Sequence, residues 1–401
     1  MCRQLTAAAV EAVLLPFLPP GDGATTTVIA VRGSPSLRLP RTYAVDLSSG
    51  QTLQLVLSPP SVLRLLRFER SLVENEAIAI RWIQSQPAPS PLPLPALIHA
   101  SYDLPNALES PFTILQPCRG TPLALASPPL SNATRDAISK QTGSLFRRLA
   151  TLRSPTSGFG PAAATIPLKE PSQRRVQPLG IGGAIGNGGA KSWSLAFQAM
   201  LEGILRDGED MAVGIPYVAA RKQFSRLGHV LDGVQTARLV AVDGAAEDNV
   251  LVQDGMVTGL SDWSNCLFGD PLFATVFSEG PTEAFMEGFN DSSSTTTSTD
   301  IGTFQLTTSD AVVEDVATAK VRVLLYGMYH ALVSVVKEFY RPRVDSGGRE
   351  MEGRRKLNEV MGRLAGIEAV EREVEVPKRI HRRGSGEMSP AKRLKEGEGE
   401  Q

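Results

Sequence analysis

The chain has 401 residues, a formal net charge of −1, 42% hydrophobic residues and three cysteines. That length suits one two-lobed domain or two ordinary ones, and the near-neutral charge gives no global electrostatic reason to bind nucleic acid. Cys2, Cys118 and Cys266 lie far apart without metal-ligand spacing, which suits a reducing, cytoplasmic compartment where lone thiols stay free.

Residues 5–18 are apolar but carry Glu11 and then Pro16. Without a cleavage pattern, and too short to span a bilayer, they predict a packing helix within residues 1–19. Residues 25–32 and 42–47 cluster β-branched side chains and read as strands. Ser48-Ser49-Gly50 supplies turn chemistry before residues 51–57, so the last two segments predict a hairpin. A helical period follows over 61–83. A proline-rich stretch at 87–95 ends it and leads to a further strand at 112–115. Residues 20–119 thus predict a small β lobe with one helix.

From residue 120 to 340 the character is mainly helical, with amphipathic helices at 132–152 and 193–207. Between them, GIGGAIGNGG at 180–189 has neither a closing Gly-Lys-Ser/Thr nor a preceding apolar strand. It reads as a flexible insertion near 165–190 rather than a phosphate loop. Short strands at 238–242 and 249–252 flank a polar loop, and Asp254-Gly255 turns the chain into 257–260. The Ser/Thr tract at 292–299 has no core-forming residue and predicts a disordered surface insertion, near 290–310. Residues 321–336 are apolar but interrupted by Arg322 and His330, which favours a buried helix over a membrane span. Residues 341–401 read as a charged, largely disordered tail with a short helix at 349–370. Its Lys392-Arg393-Leu394-Lys395 resembles a minimal nuclear-import signal, but a basic cluster in a tail is more often plain solvated charge, which is the favoured reading.

The stretch RLVAVDGAAEDNVLVQDGMVTGLSDWSNCLFGDPLFATVF at 238–277 reads as strand, acidic loop, strand, turn, strand, acidic loop. Asp243, Asn249 and Asp262 stand at the ends of its β segments, where a hairpin can set the two loops side by side. Two carboxylates and an amide there are hard oxygen ligands suited to Mg²⁺ with bound phosphates. They are equally the ordinary residues of turns, and composition alone favours that plainer reading.

The same stretch resembles the catalytic core of the aminoglycoside phosphotransferase family, kin of protein and choline kinases. That family carries His-x-Asp followed five residues later by Asn, then Ile-Asp-Trp and Gly-Asp-Pro. Here Leu260-Ser261-Asp262-Trp263 and Gly269-Asp270-Pro271-Leu272 match the second half in residues and spacing. Arg41-Thr42-Tyr43, Leu65-Leu66-Arg67-Phe68-Glu69, Gly120-Thr121-Pro122-Leu123 and Gly158-Phe159-Gly160-Pro161 resemble further landmarks in the same order. The resemblance implies an α+β, bilobal protein-kinase-like fold, with a small N-terminal β lobe and a larger, mainly helical C-terminal lobe. It also implies ATP-dependent transfer of a phosphoryl group to a small-molecule hydroxyl, the partners being nucleotide and an unidentified acceptor, without nucleic acid or membrane. By it, Asp262 holds Mg²⁺ against the nucleotide phosphates, Asn249 binds a second metal, and Asp243 orients or deprotonates the acceptor hydroxyl. Glu76 becomes the helix glutamate that holds a phosphate-binding lysine, and Asp270 a structural brace.

Three departures stand against that pattern. The family histidine is Ala241, and Asn249 lies six rather than five positions after Asp243. Fixing the register at Asn249 instead puts the catalytic position on Gly244. No lysine precedes Lys140, so the strand position near Val56 supplies no cation. The nucleotide charge is then left to Mg²⁺, backbone N–H groups, or an arginine such as Arg64 or Arg67, whose reach and geometry differ from lysine. Two readings follow: a working phosphotransferase, or a pseudokinase that keeps the fold and serves as a binding or scaffold protein.

Overall fold

The alternation in the first hundred residues resolves, in the computed structural model, into a five-stranded antiparallel sheet. The structure describes residues 5–17, 26–34, 38–87, 92–102, 104–127, 129–167, 188–290, 298–300, 305–307 and 312–368. The strands β1 (Val28–Gly33), β2 (Arg41–Leu47), β3 (Thr52–Leu57), β4 (Ala96–Ser101) and β5 (Phe112–Gln116) lie in the order β1-β2-β3-β5-β4. The hairpin predicted at Ser48-Ser49-Gly50 is present and pairs Asp46 with Thr52. Because successive strand residues face opposite sides, β3 serves two cores. Leu53, Leu55 and Leu57 pack with Val10 and Leu14 of helix α1 (Ala7–Leu14), while Val56 joins the main core with Val73 and Ile80 of helix α2 (Leu72–Gln84).

Two expectations in this lobe need correction. The helix predicted from residue 61 begins at Leu72, after a 3₁₀ turn over Arg67–Ser71. Leu66 is held extended because its N–H donates to Glu69 Oε2 at 2.8 Å, a capping contact that stops the helix from running further back. Strand β4 was not anticipated; it is an edge strand whose exposure barely alternates, so the period-2 signal is missing.

Gly120 carries the chain out of the sheet at φ +103, where an added Cβ would sit 2.8 Å from Val252 O. Only glycine fits that crossing. The second lobe runs through β6 (Thr121–Pro122), α3 (Asn132–Thr151), β7 (Gly160–Pro161), α4 (Ala162–Thr165), α5 (Trp193–Asp210) and α6 (Tyr217–Leu227). It continues through β8 (Arg238–Ala241), β9 (Val250–Gln253), β10 (Met256–Leu260), β11 (Cys266–Gly269), α7 (Thr275–Glu279) and α8 (Glu283–Phe289). Two small sheets, β10-β9-β6 and β7-β11-β8, lie among these helices. Residues 168–187, with most of the glycine-rich segment, are outside the described residues.

The Ser/Thr tract also departs from expectation where it is described. Ser298–Asp300 forms strand β12, paired with β13 (Gln305–Thr307). Residues 292–297 lie outside the described residues. Helix α9 (Ala319–Tyr340), with the turn before it, is long and apolar enough to cross a membrane, yet 72% of that window is buried within the protein. The expected tail also starts later than residue 341. Helix α10 (Ser346–Ala365) buries Leu357 and Leu364, and the compact unit extends to Glu368. Residues 369–401, with the Lys392 cluster, are outside the described residues. The architecture is α+β and bilobal, as expected.

Candidate functional site

Helix α2 is docked onto the second lobe by Asn75, which is 4% exposed. Its Nδ2 donates to Ser264 O (2.7 Å) and Cys266 O (2.8 Å), and its Oδ1 accepts from Ala163 N (2.8 Å). This places the next residue, Glu76, fully buried behind the turn that carries Asp262. Glu76 Oε1 accepts from Arg38 and from Trp263 N at 3.3 Å. Burial raises the Glu76 carboxyl above its ordinary range, and the Arg38 charge pulls against that rise.

The two acidic turns are joined to each other. Ser261 N donates to Asn249 O (2.9 Å), and Ser261 Oγ donates to Asn249 Oδ1 (3.3 Å). Asn265 Nδ2 donates to Asp243 Oδ2 at 2.7 Å, and Val242 N donates to Asn265 O at 3.3 Å. Asp262 Oδ1 accepts from Ser264 N at 2.8 Å and from Arg38 at 3.0 Å. Trp263 is fully buried, with its indole N–H on Leu260 O at 3.1 Å, and so fixes the direction of that turn. Asp243, Asn249 and Asp262 all line one cleft of about 570 Å³.

Positions 243 and 244, between which the sequence left the register open, face opposite ways. An added Cβ on Gly244 would meet Ala241 Cβ at 3.0 Å, Leu260 Cδ1 at 3.2 Å and Phe146 Cζ at 3.3 Å, so position 244 faces the core. Asp243 is the exposed, cleft-lining position. The extra loop residue is taken up in successive turns, Ala246 N to Asp243 O (3.2 Å) and Asn249 N to Ala246 O (2.8 Å). Asn249 Nδ2 closes them on Asp243 O at 2.8 Å. Ala241, in place of the family histidine, is 2% exposed and packs against Gly244.

Asp270 acts as the anticipated brace. Its Oδ1 accepts from Leu272 N at 3.1 Å, capping the next turn, while Oδ2 accepts from Arg322 and from Tyr326 Oη at 2.7 Å. Tyr326 Oη in turn accepts from Trp193 Nε1 at 2.7 Å.

Arg67 lines the cleft, but its guanidinium is committed to α5, pairing with Asp207 and, at 2.8 Å, with Asp210. Arg64 is directed to Met211 Sδ, at 3.0 Å. The cation beside the acidic turns is Arg38, which sequence reasoning missed. It lies just before β2, its side chain 6% exposed, and one terminal nitrogen meets both Glu76 and Asp262 while the other donates to Ser261 O at 3.0 Å. Burial opposes its charge, but the Asp262 and Glu76 carboxylates outweigh that and raise its pKa. The available signal was indirect: a helix glutamate needing a cation in a lobe without lysine.

The cleft is also lined by Met200, Ile204, Tyr329, Val333, Lys337 and Arg343. Three of its carboxylates are paired with arginines: Glu69 with Arg341, Asp207 with Arg67, and Glu338 with Arg349. Lys337 and Arg343 form no ion pair among the described residues.

Among the described residues no cluster of three or more His, Cys, Asp and Glu could hold a metal through protein ligands alone. The donor set instead fits Mg²⁺ carried in with phosphates, which commonly takes one or two carboxylates plus phosphate oxygens. Asp262 and the Asn249 amide oxygen, which both line the cleft, are the groups that could hold it.

No protein-family profile matches the chain, and no curated protein matches it significantly. Solved structures do. One is a thermostable mutant of aminoglycoside phosphotransferase APH(4)-Ia in ternary complex with AMP-PNP and hygromycin B, with TM-score 0.55 and 17% identity, covering 90% of this chain and 100% of that one. A protein described as a putative fructosamine-3-kinase, from Thermobifida fusca YX-ER1, gives TM-score 0.53 and 13% identity over 87% and 98%. The gentamicin complex of APH(2″)-IIa gives 0.51 and 13% over 91% and 98%. At these identities the likeness is one of architecture: this chain has the protein-kinase-like fold of the aminoglycoside phosphotransferases.

Proposed function

We propose that the chain is a divergent member of the aminoglycoside phosphotransferase family that binds ATP with Mg²⁺ and phosphorylates a small-molecule hydroxyl. The observation that carries this reading is the convergence of Asp243, Asn249 and Asp262 on one cleft, from two turns hydrogen-bonded to each other. Bound at Asp262 and Asn249, Mg²⁺ would offset phosphate charge. Asp243 is exposed and held by Asn265, so it can accept an acceptor hydroxyl's proton or orient that hydroxyl toward the γ-phosphate. The fold kinship supports the same class, since the relatives above were solved with AMP-PNP and hygromycin B or with gentamicin.

The acceptor end favours a neutral or anionic hydroxyl compound over a polycation. Its carboxylates are already matched by arginines, while Lys337 and Arg343 face the cleft without an ion pair among the described residues. ADP formation from Mg-ATP, alone and with panels of hydroxylated acceptors, together with mass detection of the phosphorylated acceptor, tests the reading. Asp243→Asn should lower turnover on the order of a hundredfold while leaving nucleotide affinity intact. Equal turnover in both proteins would refute the assignment of Asp243.

A second reading, nucleotide binding without transfer, is favoured by Val56 and Ala241 standing where the family has its lysine and histidine. Tight Mg-ATP binding with no ADP formation across the panels would select it.

A further inference from the structure

We propose that Arg38 is the phosphate-binding cation of this cleft, delivered from the turn before β2 rather than from strand β3. The inference rests on the nucleotide-binding reading and names the group that answers the phosphates. A nucleotide brings several negative charges to a wall that already holds Asp243, Asp262 and Glu76, so a cation is required for affinity. Strand β3 cannot provide it. Val56 is fully buried and paired in the sheet with Thr42 and Thr113, and the lobe before Lys140 contains no lysine.

Two other arginines that line the cleft are committed elsewhere, Arg67 to Asp207 and Asp210, and Arg341 to Glu69. Arg38 differs from both. Its guanidinium bridges the helix glutamate and the carboxylate placed to meet the metal, at 3.0 Å from Asp262 Oδ1, and it lines the same cleft. One terminal nitrogen is shared by Glu76 and Asp262 and the other donates to Ser261 O, so a phosphate oxygen beside Asp262 would take over part of these contacts while the planar fork keeps its hold on Glu76. Because Arg38 already offsets part of the Asp262 charge, phosphate binding should also depend less on Mg²⁺ than in a site with two uncompensated acids.

The test measures affinity for ADP and for adenosine, each with Mg²⁺ and with EDTA, by titration calorimetry on the full chain. Three variants are compared with wild type: Arg38→Ala, Arg38→Lys, and Arg38→Met combined with Glu76→Gln. The double variant removes both charges together, so no buried carboxylate is left without its partner. ADP affinity should fall on the order of tenfold to a hundredfold in Arg38→Ala and in the double variant. The loss should be smaller in Arg38→Lys and larger in EDTA than with Mg²⁺, while adenosine affinity stays within about twofold. Equal losses for ADP and adenosine would make Arg38 merely structural and overturn the proposal. So would a gain in ADP or Mg²⁺ affinity, which would make Arg38 a plug on Asp262. If wild type binds neither ligand, the nucleotide reading itself fails. If wild type and the double variant bind ADP alike, only the role of Arg38 fails.

Discussion

Replacing Asp270 by alanine isolates the brace that holds the segment following the Asp262 turn. The wild-type carboxylate is fully buried and meets Arg322, which is also fully buried. The substitution leaves that guanidinium with the Glu314 and Asp315 carbonyls and the Tyr326 hydroxyl, and with no carboxylate to balance its charge. Breaking one side of a buried ion pair costs about 3–5 kcal/mol, because the remaining charge keeps its desolvation penalty. Tyr326 Oη loses its acceptor and Leu272 N loses its cap, but all these contacts share one carboxylate and their losses do not add. Urea denaturation should show a lower midpoint with an unchanged slope. Combining Asp270→Leu with Arg322→Met should recover more than half of the loss, since a well-packed apolar pair can replace a buried ion pair. A cost below about 1 kcal/mol for Asp270→Ala, or no recovery in the double variant, would refute the reasoning.

His330 donates its Nε2–H to Phe273 O across 2.9 Å when the ring is neutral. Burial lowers its pKa, against the opposing pull of Asp243, the Phe273 carbonyl and Glu279. A histidine whose folded pKa lies below its unfolded value contributes stability that is present above the unfolded pKa and lost as pH falls below it. The melting temperature of wild type should therefore drop more steeply than that of His330→Gln between about pH 7 and pH 5; parallel curves would contradict this. Lys337→Glu should raise KM for an anionic acceptor on the order of tenfold and leave nucleotide affinity unchanged; no change in KM would remove Lys337 from the acceptor site. Burial pushes the Cys118 thiol up to about 11, so in a Cys2→Ser background alkylation at neutral pH should be slow until the protein is unfolded. Prompt labelling of the native protein would refute that.

What could be read from the sequence was whatever depends on near neighbours. The β2–β3 hairpin was legible because Ser48-Ser49-Gly50 is local turn chemistry, and α3 and α5 because an amphipathic period needs no knowledge of what it packs against. Leu66 and Arg38 show the other side. The late start of α2 depends on the Glu69 side chain capping Leu66, and Glu69 is itself tied to Arg341, 272 positions away. The site cation depends on contacts from Arg38 to Asp262 across 224 positions, and nothing in Ser36-Leu37-Arg38-Leu39-Pro40 sets it apart from other arginines. Likewise the register of the loop from Asp243 to Asn249 turned on which side of the chain faces Phe146 and Leu260, a matter of packing between distant segments. The helix expected at 349–370 is α10, but the charged composition after residue 341 masked its packing, because the buried face is narrow, with Gly353, Leu357 and Leu364 as its buried residues.

The central claim is that the turns bearing Asp243 and Asp262 form a nucleotide-phosphate site beneath the small β lobe. Thermal unfolding with and without millimolar Mg-ATP, in wild type and in Asp262→Ala, tests it most directly. Nucleotide at about a hundred times its Kd should raise the melting temperature of wild type by roughly 5 °C and leave Asp262→Ala unmoved. No rise in wild type, or an equal rise in both, would contradict the account.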